Sequence, residues 1–388
     1  MMYIYAILSL ALSWPYVNGD ETIVFNDLEG VKIPKPISDM TATSGLDMIW
    51  VAGGCDNSQG NIFSQEGYFI CPSVSDTLYS FDPRTNMFAK KASMPRPRYR
   101  HGAGFAKGRL FLFGGRALDD SLIPEVDMYD PLTDQWETVG KIPVAYLSSD
   151  QGSIAHDNGV YSFGGYDPEY NALGLSFYFD AEVARDEKII KVTSLPEMQS
   201  HRGDVSAALV NGIVYVSGGF THTNNYCKPF AVVERIVLAT ETWETVAPLA
   251  TGRADQALVV LSDERLFALG GETQIENKCI IDPEDLPEVG EQTVAVDDVE
   301  VYDSSTNTWT VLASLPAHRF RFAAAGFQDS VYTFGGQLAY NHSCTCFRTS
   351  DSVVVYIDKK NDETSAGTGH SPWLVIGLSL ALVVGAIW

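Results

Sequence analysis

The chain has 388 residues, 45% of them hydrophobic and 19% charged. That is enough apolar material for a large core and too little charge for a chain that stays mainly disordered. A formal net charge of −23 repels phosphate backbones and argues against nucleic acid as a partner. An acidic balance excludes little else, because it also serves solubility.

Residues 3–14 (YIYAILSLALSW) are apolar, and Val17-Asn18-Gly19 supplies the modest residues of a cleavage site before Asp20. Residues 1–19 are therefore expected to be a secretory signal peptide, although no Lys or Arg precedes the apolar run; a buried N-terminal strand is the other reading. Thr22-Ile23-Val24-Phe25 reads as a short strand. Beyond it, six Gly-Gly pairs punctuate the chain: Gly53-Gly54, Gly114-Gly115, Gly164-Gly165, Gly218-Gly219, Gly270-Gly271 and Gly335-Gly336. Each closes a short apolar run (MIWVAGG, LFLFGG, VYSFGG, IVYVSGG, LFALGG, VYTFGG). Recurrence at intervals of 50 to 65 residues is an internal repeat.

Residues 95–136 show one repeat in full. A Pro95-Arg96-Pro97-Arg98 start is followed by His101-Gly102-Ala103-Gly104-Phe105, a Lys107-Gly108 turn, the run 110–113 and the Gly pair. After a polar loop come Val126-Asp127-Met128-Tyr129-Asp130, a turn, and Trp136-Glu137-Thr138-Val139. These are four short strands separated by turn residues. The distance from proline to Gly pair is 19, 19, 21, 22, 22 and 19 residues in the successive repeats, starting from Pro34, Pro95, Pro143, Pro196, Pro248 and Pro316. A spacing of 7 links Phe81 to Phe88, Tyr129 to Trp136, Ile236 to Trp243 and Tyr302 to Trp309. The third repeat departs: Phe179 is followed by a charged stretch, with Ile189 at the place of Trp. Length varies mostly between the Gly pair and the aromatic, from 14 residues after Gly165 to 31 after Gly271. Residues 280–298 in the fifth repeat are acidic (Asp282, Glu284, Asp285, Glu288, Glu291, Asp297, Asp298); they lack the regular spacing of a calcium loop and read as a solvated loop.

Four antiparallel strands repeated radially make propeller blades. The sequence therefore predicts an all-β, six-bladed β-propeller over residues 20–360. Residues 353–356 (VVVY) end the sixth repeat with no Trp strand after them, so residues 22–25 are expected to complete the last blade and close the ring. At the C-terminal side lie a polar spacer, residues 361–372, and the uncharged apolar segment 373–388. A spanning helix needs about 20 apolar residues and usually has basic residues behind it. Small residues Ser365-Ala366-Gly367, a spacer and an apolar tail instead fit a GPI-attachment signal with Ser365 as the lipid site; a single membrane helix is the alternative.

The pattern Pro-x-x-Arg, apolar run, Gly-Gly, Tyr-Asp and Trp resembles the kelch repeat, over about residues 20–360. The resemblance implies that the Arg after the proline lines a central pocket, and only Arg98 and Arg319 keep that spacing strictly. The residues leading into the inner strands are the candidate ligand or partner face: Arg98, Arg100, His101, Tyr146, Asp150, His201, Arg202, Asp204, Arg253, Asp255, His318, Arg319 and Arg321. Mutual pairing of these charges around the channel, merely holding blades together, is the alternative.

All six cysteines (Cys55, Cys71, Cys227, Cys279, Cys344, Cys346) fall in the variable loops after the Gly pairs, consistent with an oxidising compartment. A Cys227–Cys279 bridge and bridges from Cys344 and Cys346 to Cys55 and Cys71 are expected, with a local Cys55–Cys71 loop as the alternative. Asn341-His342-Ser343 is a glycosylation sequon on such a route. No Gly-x-Ser-x-Gly elbow, His-Glu-x-x-His helix or phosphate loop occurs, and no cofactor or metal is implied. A copper radical oxidase would need His, Tyr and Cys ligands, and a sialidase a Ser-x-Asp-x-Gly-x-x-Trp box that is missing. The expectation is a non-catalytic extracellular or cell-surface module that binds a protein or glycan. The alternative is a sugar enzyme with its site in the central pocket, like the bacterial sialic-acid mutarotases that share the six-bladed kelch form.

Overall fold

The computed structural model describes residues 23–56, 71–182, 189–224, 228–274, 293–343 and 346–357, with the backbone of two short strands, Ile62–Phe63 and Phe69–Ile70. The expected signal peptide, Cys227, Cys279, Cys344, most of the acidic loop, and the spacer, Ser365 and apolar tail lie outside the described residues. The described chain belongs to one compact unit, Met1–Ile357.

Six four-stranded antiparallel sheets form the blades. In the first, strands a to d are Thr41–Gly45, Met48–Ala52, Leu78–Asp82 and Met87–Lys90. The inner strands of the others are Gly102–Ala106, Gly152–His156, Ser206–Val210, Ala257–Val260 and Ala323–Phe327. Each inner strand touches the next, and the sixth touches the first. They are rich in Ala, Gly and Ser because six strands converge there; together they line a channel of about 360 Å³. The apolar runs before the Gly pairs form the second strands, whose side chains fill the space between blades. Phe111 and Phe113, for example, pack with Val160, Phe177 and Phe179 of the third blade.

The ring closes as the sequence predicts in kind, but with a different strand. The outer strand of blade six is Asn26–Lys32, pairing with Ser352–Ile357 in the register Asn26↔Val355 and Asp27↔Val354. Residues 22–25 were expected there. The outermost strand of a blade faces solvent, so a polar segment suits it. The more apolar stretch before it packs inward instead: Ile23 and Phe25 are buried, and the Phe25 ring lies 5.4 Å from that of Tyr356. Phe25 thereby fills the place that Trp136 and Trp309 take against Tyr129 and Tyr302. Blade three is also corrected: Ile189 is 60% exposed, and Val192, on the short strand Val192–Ser194, stands opposite Phe179.

Adjacent blades are joined at the Gly pairs. The second glycine's N–H donates to a carbonyl of the next blade's connector in every repeat: Gly54 to Arg98, Gly115 to Ser148, Gly165 to Arg202, Gly219 to Arg253, Gly271 to Arg319 and Gly336 to Ile37, at 2.8–3.0 Å. The first glycine must let that carbonyl approach. At Gly218 the backbone is left-handed (φ 66°) and a Cβ would stand 2.2 Å from the Arg253 oxygen. Gly212, by contrast, sits in a hairpin turn with φ 74° and open space around it. A Gly212→Ala variant should lose roughly 1–2 kcal/mol, the left-handed penalty alone. Gly218→Ala should lose at least about 3 kcal/mol, because the inter-blade carbonyl must also shift. Equilibrium urea denaturation of the two variants checks this, and equal losses would refute the close-approach account.

Candidate functional site

One residue from each blade, just before the inner strand, reaches the axis: Asp39, Arg100, Asp150, Asp204, Asp255 and Arg321. All six are left-handed, with φ between 52° and 58°. Asp tolerates that conformation better than most side chains, which gives a backbone reason for four aspartates. Backbone bonds run around the ring: Arg100 N–H donates to Asp39, Asp150 to Arg100, Asp255 to Asp204, Arg321 to Asp255 and Asp39 to Arg321, at 2.8–3.1 Å. The ring and the residues after it (Met40, His101, Gln151, Val205, Gln256, Phe322) enclose a cavity of about 100 Å³.

The side chains pair unevenly. Arg100 Nε lies 3.1 Å from Asp39 Oδ1 and 3.3 Å from Asp150 Oδ1. Arg321 reaches Asp255 Oδ2 at 2.9 Å and Glu272 Oε1 at 3.5 Å. Asp204 is the middle of three consecutive acids, and the Tyr166 hydroxyl donates to it at 2.8 Å. Burial, with Asp255 and Asp150 as neighbours, holds the Asp204 carboxyl well above the usual carboxylate range. Burial does the same to Glu272, opposed by Arg321 and reinforced by Asp255. Asp255 is shifted the other way: burial is outweighed by Arg321 and a hydrogen bond from Glu272. Buried Asp150 Oδ2 and Glu272 Oε2 accept no hydrogen bond from a described residue when every carboxyl is ionised. A proton on Asp204 and another on Glu272 relieve both crowded pairs.

Of the expected site residues, Arg100, Asp150, Asp204, Asp255 and Arg321 meet at this ring. Arg98, Arg202, Arg253 and Arg319 instead lie wholly inside their blades, 0–1% exposed. Arg98 donates to Gly114 O at 3.1 Å and Asp127 Oδ2 at 2.5 Å. Arg202 lies 3.2 Å from Glu234 Oε2 and donates to Val216 O. Arg253 binds Gly270 O and the Glu300 carboxylate. Arg319 holds Gly335 O and the Ser352 hydroxyl. Each guanidinium thus bridges the glycine-pair bend, or the strand leading into it, to the third strand of its own blade. Burial lowers the pKa of Arg98, Arg202 and Arg319 to about 10, so all stay charged at neutral pH. His101 is buried beside Thr41 Oγ1 (3.1 Å), and desolvation, with Arg98 nearby, keeps its ring neutral. Tyr146 packs on Phe177 at 5.4 Å. His201 and His318 lie at the outer rim, beside Glu197 (3.3 Å) and Asp297 (3.7 Å), with side chains 52% and 53% exposed.

Sequence reasoning missed Asp39, Glu272 and Tyr166. Asp39 carried a usable signal: five ring residues precede their Gly pair by 14 positions and Asp255 by 15. It escaped notice because its connector has no Arg or His. Glu272 and Tyr166 follow their Gly pairs directly, and only the folded chain turns them toward the axis.

The loops between the second and third strands share the face at which the ring lies. In blades two and three they interlock: Arg116 stacks on Tyr170 at 3.6 Å and donates to Asp167 O, while the Tyr99 and Tyr170 hydroxyls donate to Asp120 at 2.7 and 2.8 Å. Beside them a mostly apolar cleft of about 570 Å³ runs between Arg96-Pro97 and residues 117–125, with Leu118 61% exposed. In blade one, Cys55 and Cys71 are bonded to each other. This overturns the expected cross-blade bridges to Cys344 and Cys346: the Cα atoms of Cys55 and Cys71 lie 5.6 Å apart across one loop, well within bridging range. Cys346 is disulfide-bonded as well.

Fold and repeat together define a six-bladed β-propeller closed by its N-terminal strand. The kelch motif matches residues 97–143, 201–250 and 289–316. The chain carries kelch repeats at these positions. It is 21% identical to Kelch-like protein terF of Aspergillus terreus, over 82% of this chain and 64% of that one. It is 23% identical to Kelch-like protein 15 of Danio rerio, over 74% and 37%. Beta-scruin of Limulus polyphemus is 23% identical over 65% and 26%. The chain thus spans less than two thirds of the length of these relatives. Among solved structures, that of YjhT superposes with a TM-score of 0.66 at 15% identity, covering 85% of this chain and 97% of that one, a likeness of fold.

Two measurements probe this charge arrangement. Arg253→Ala strands the buried Glu300 carboxylate and should cost about 3–5 kcal/mol; adding Glu300→Leu should recover a large part of it, as read by denaturation. For the axis, Asp204 is an acid whose folded pKa is raised, so its stabilising effect is complete below its unfolded value. That effect is lost as pH rises from about 4 through the folded-state value. Asp204→Asn should flatten the decline of melting temperature with rising pH, and an unchanged slope would refute the protonated Asp204.

Proposed function

We propose that the protein is a non-catalytic binding module that engages a protein or glycan through the loop face of its propeller, on the extracellular side of a membrane. The contrast between two spaces carries this reading. The axis holds about 100 Å³, walled by ion pairs, whereas the loop face carries an apolar cleft of about 570 Å³. Ligand pockets are roughly 300–1,000 Å³, so the cleft is of ligand size and the axis is not. A sugar enzyme at the axis would have to break the Arg100 and Arg321 pairs to admit its substrate.

The extracellular setting rests on the residues at the two ends, the cysteines and the sequon. Asn341 ends the strand Gln337–Asn341 and is partly exposed; Ser343 Oγ donates to its Oδ1 at 2.5 Å. We propose that the peptide bond after Ser365 is cleaved, so that residues 366–388 leave and a lipid is joined to the Ser365 carboxyl.

Screening the purified protein on glycan arrays and against displayed extracellular proteins tests the binding reading. Leu118→Asp should weaken the best hit at least tenfold. Leu132→Asp, 89% exposed in a turn on the opposite face, should not. Turnover of a sugar that is lost in Arg100→Ala would overturn it. Phosphatidylinositol-specific phospholipase should release the protein from intact cells; retention would count for a membrane helix.

A further inference from the structure

Among the described residues, five carboxyls crowd the axis (Asp39, Asp150, Asp204, Asp255 and Glu272) against two guanidiniums, Arg100 and Arg321. The excess is local. Arg100 serves the Asp39–Asp150 side and Arg321 the Asp255–Glu272 side, which leaves the arc Asp150–Asp204–Asp255 with Asp204 unpaired by any described cation. Asp150, 8% exposed, lines the cavity, and its Oδ2 has no donor from a described residue once Asp204 is ionised. Asp204 and Asp255 are the partly exposed members of the ring, along with Arg100, so the arc is reachable.

We propose that this arc receives a primary ammonium group, from a lysine of the loop-face partner or from a free amine. The inference rests on the reading of that face as the binding surface. Three features fit such a group. An ammonium has three donors, matching three carboxylates on neighbouring blades. The cavity of about 100 Å³ has room for a head the size of a water, whose share of liquid is about 30 Å³. Met40, Val205 and Phe322 also line it, offering apolar contact to a methylene stem, which a bare metal ion would not use. No three described acidic, His or Cys residues converge as metal ligands.

Asp204 is faced by Asp150 of blade three, Asp255 of blade five, Arg100 of blade two, Arg321 of blade six and the Tyr166 hydroxyl, with Asp39 of blade one beyond the arginines. In the free protein the proton on Asp204 separates it from its two acidic neighbours. An arriving ammonium takes over that role, and the Asp204 proton leaves to solvent. Binding therefore releases up to one proton per amine and strengthens as pH rises.

The experiment is calorimetry on the full propeller with n-butylammonium chloride and, in a second arm, a Gly/Ser peptide carrying one internal Lys. It is run at pH 5.5 and 8, in two buffers of different ionisation enthalpy. The expected result is saturable binding at least fivefold tighter at pH 8, with proton release, and at least tenfold weakened in Asp204→Asn. Asn suits the same left-handed backbone, and circular dichroism checks that the variant folds; proton release by the wild-type protein is independent of any variant. A tighter peptide points to a partner lysine and a tighter butylammonium to a free amine, and both support the site. Tetramethylammonium acting as well as butylammonium, calcium ion displacing it, or full binding by Asp204→Asn would overturn it. Should Asp204→Asn keep its loop-face partner while Leu118→Asp loses it, the partner lysine is excluded as the source of the ammonium and the face reading stands; absence of saturable butylammonium binding by the wild-type protein as well would overturn the axis proposal. Amine binding with no partner on any array is the reverse case.

Discussion

The hydrogen bond from the second glycine of one blade to the connector carbonyl of the next is the constraint on which the rest of this propeller depends. It recurs six times, from Gly54–Arg98 to Gly336–Ile37, and it joins groups that the sheets leave over. A strand that ends in a bend leaves an N–H without a ladder partner, and a connector leaves a C=O; buried, each must find a mate. Because the bond runs between blades, it sets how deeply each connector enters the ring. That depth then carries the following residue to the axis in a left-handed conformation. The Asp-rich ring is thus downstream of the glycine pairs.

The buried arginines act on the same bend from the other side. Arg98, Arg253 and Arg319 bind the first glycine's carbonyl and a polar group on the third strand, while their own carbonyls receive the neighbouring blade's N–H. One residue therefore ties the bend of its own blade to the bend of the previous one. In blades one and three Ile37 and Ser148 supply the carbonyl without the guanidinium. The backbone bond is thus the general element and the arginine a reinforcement, with burial repaid by a matched acid such as Asp127 or Glu300.

The blade count and phase were legible because the Gly pairs recur at a spacing that tertiary structure cannot disguise. The closing strand was legible in kind, since an edge must be covered, but not in position. An outer strand faces water, so hydrophobicity pointed to residues 22–25, whereas Asn26–Lys32 pairs and Phe25 plugs the gap beside it. The arginines looked alike in the sequence; whether one enters a blade or reaches the axis turns on a displacement of two residues, as between Arg98 and Arg100. The acids that neutralise them, Asp127, Glu234 and Glu300, carry no local signal. They sit on the third strands of blades two, four and five and acquire meaning only when the blade folds.

Charge is consequently sorted by depth. Inside the blades each guanidinium meets a carboxylate or a set of carbonyls. At the axis the left-handed backbone favours aspartate whatever the charge balance, and among the described residues two arginines face five carboxyls. That excess is what a purely structural ring would be expected to avoid, since crowding three carboxyls on neighbouring blades costs stability that asparagine, equally at ease with positive φ, would not. Retaining Asp150, Asp204 and Asp255 side by side therefore has a reason only if something positive, a proton or an incoming cationic group, shares the arc with them.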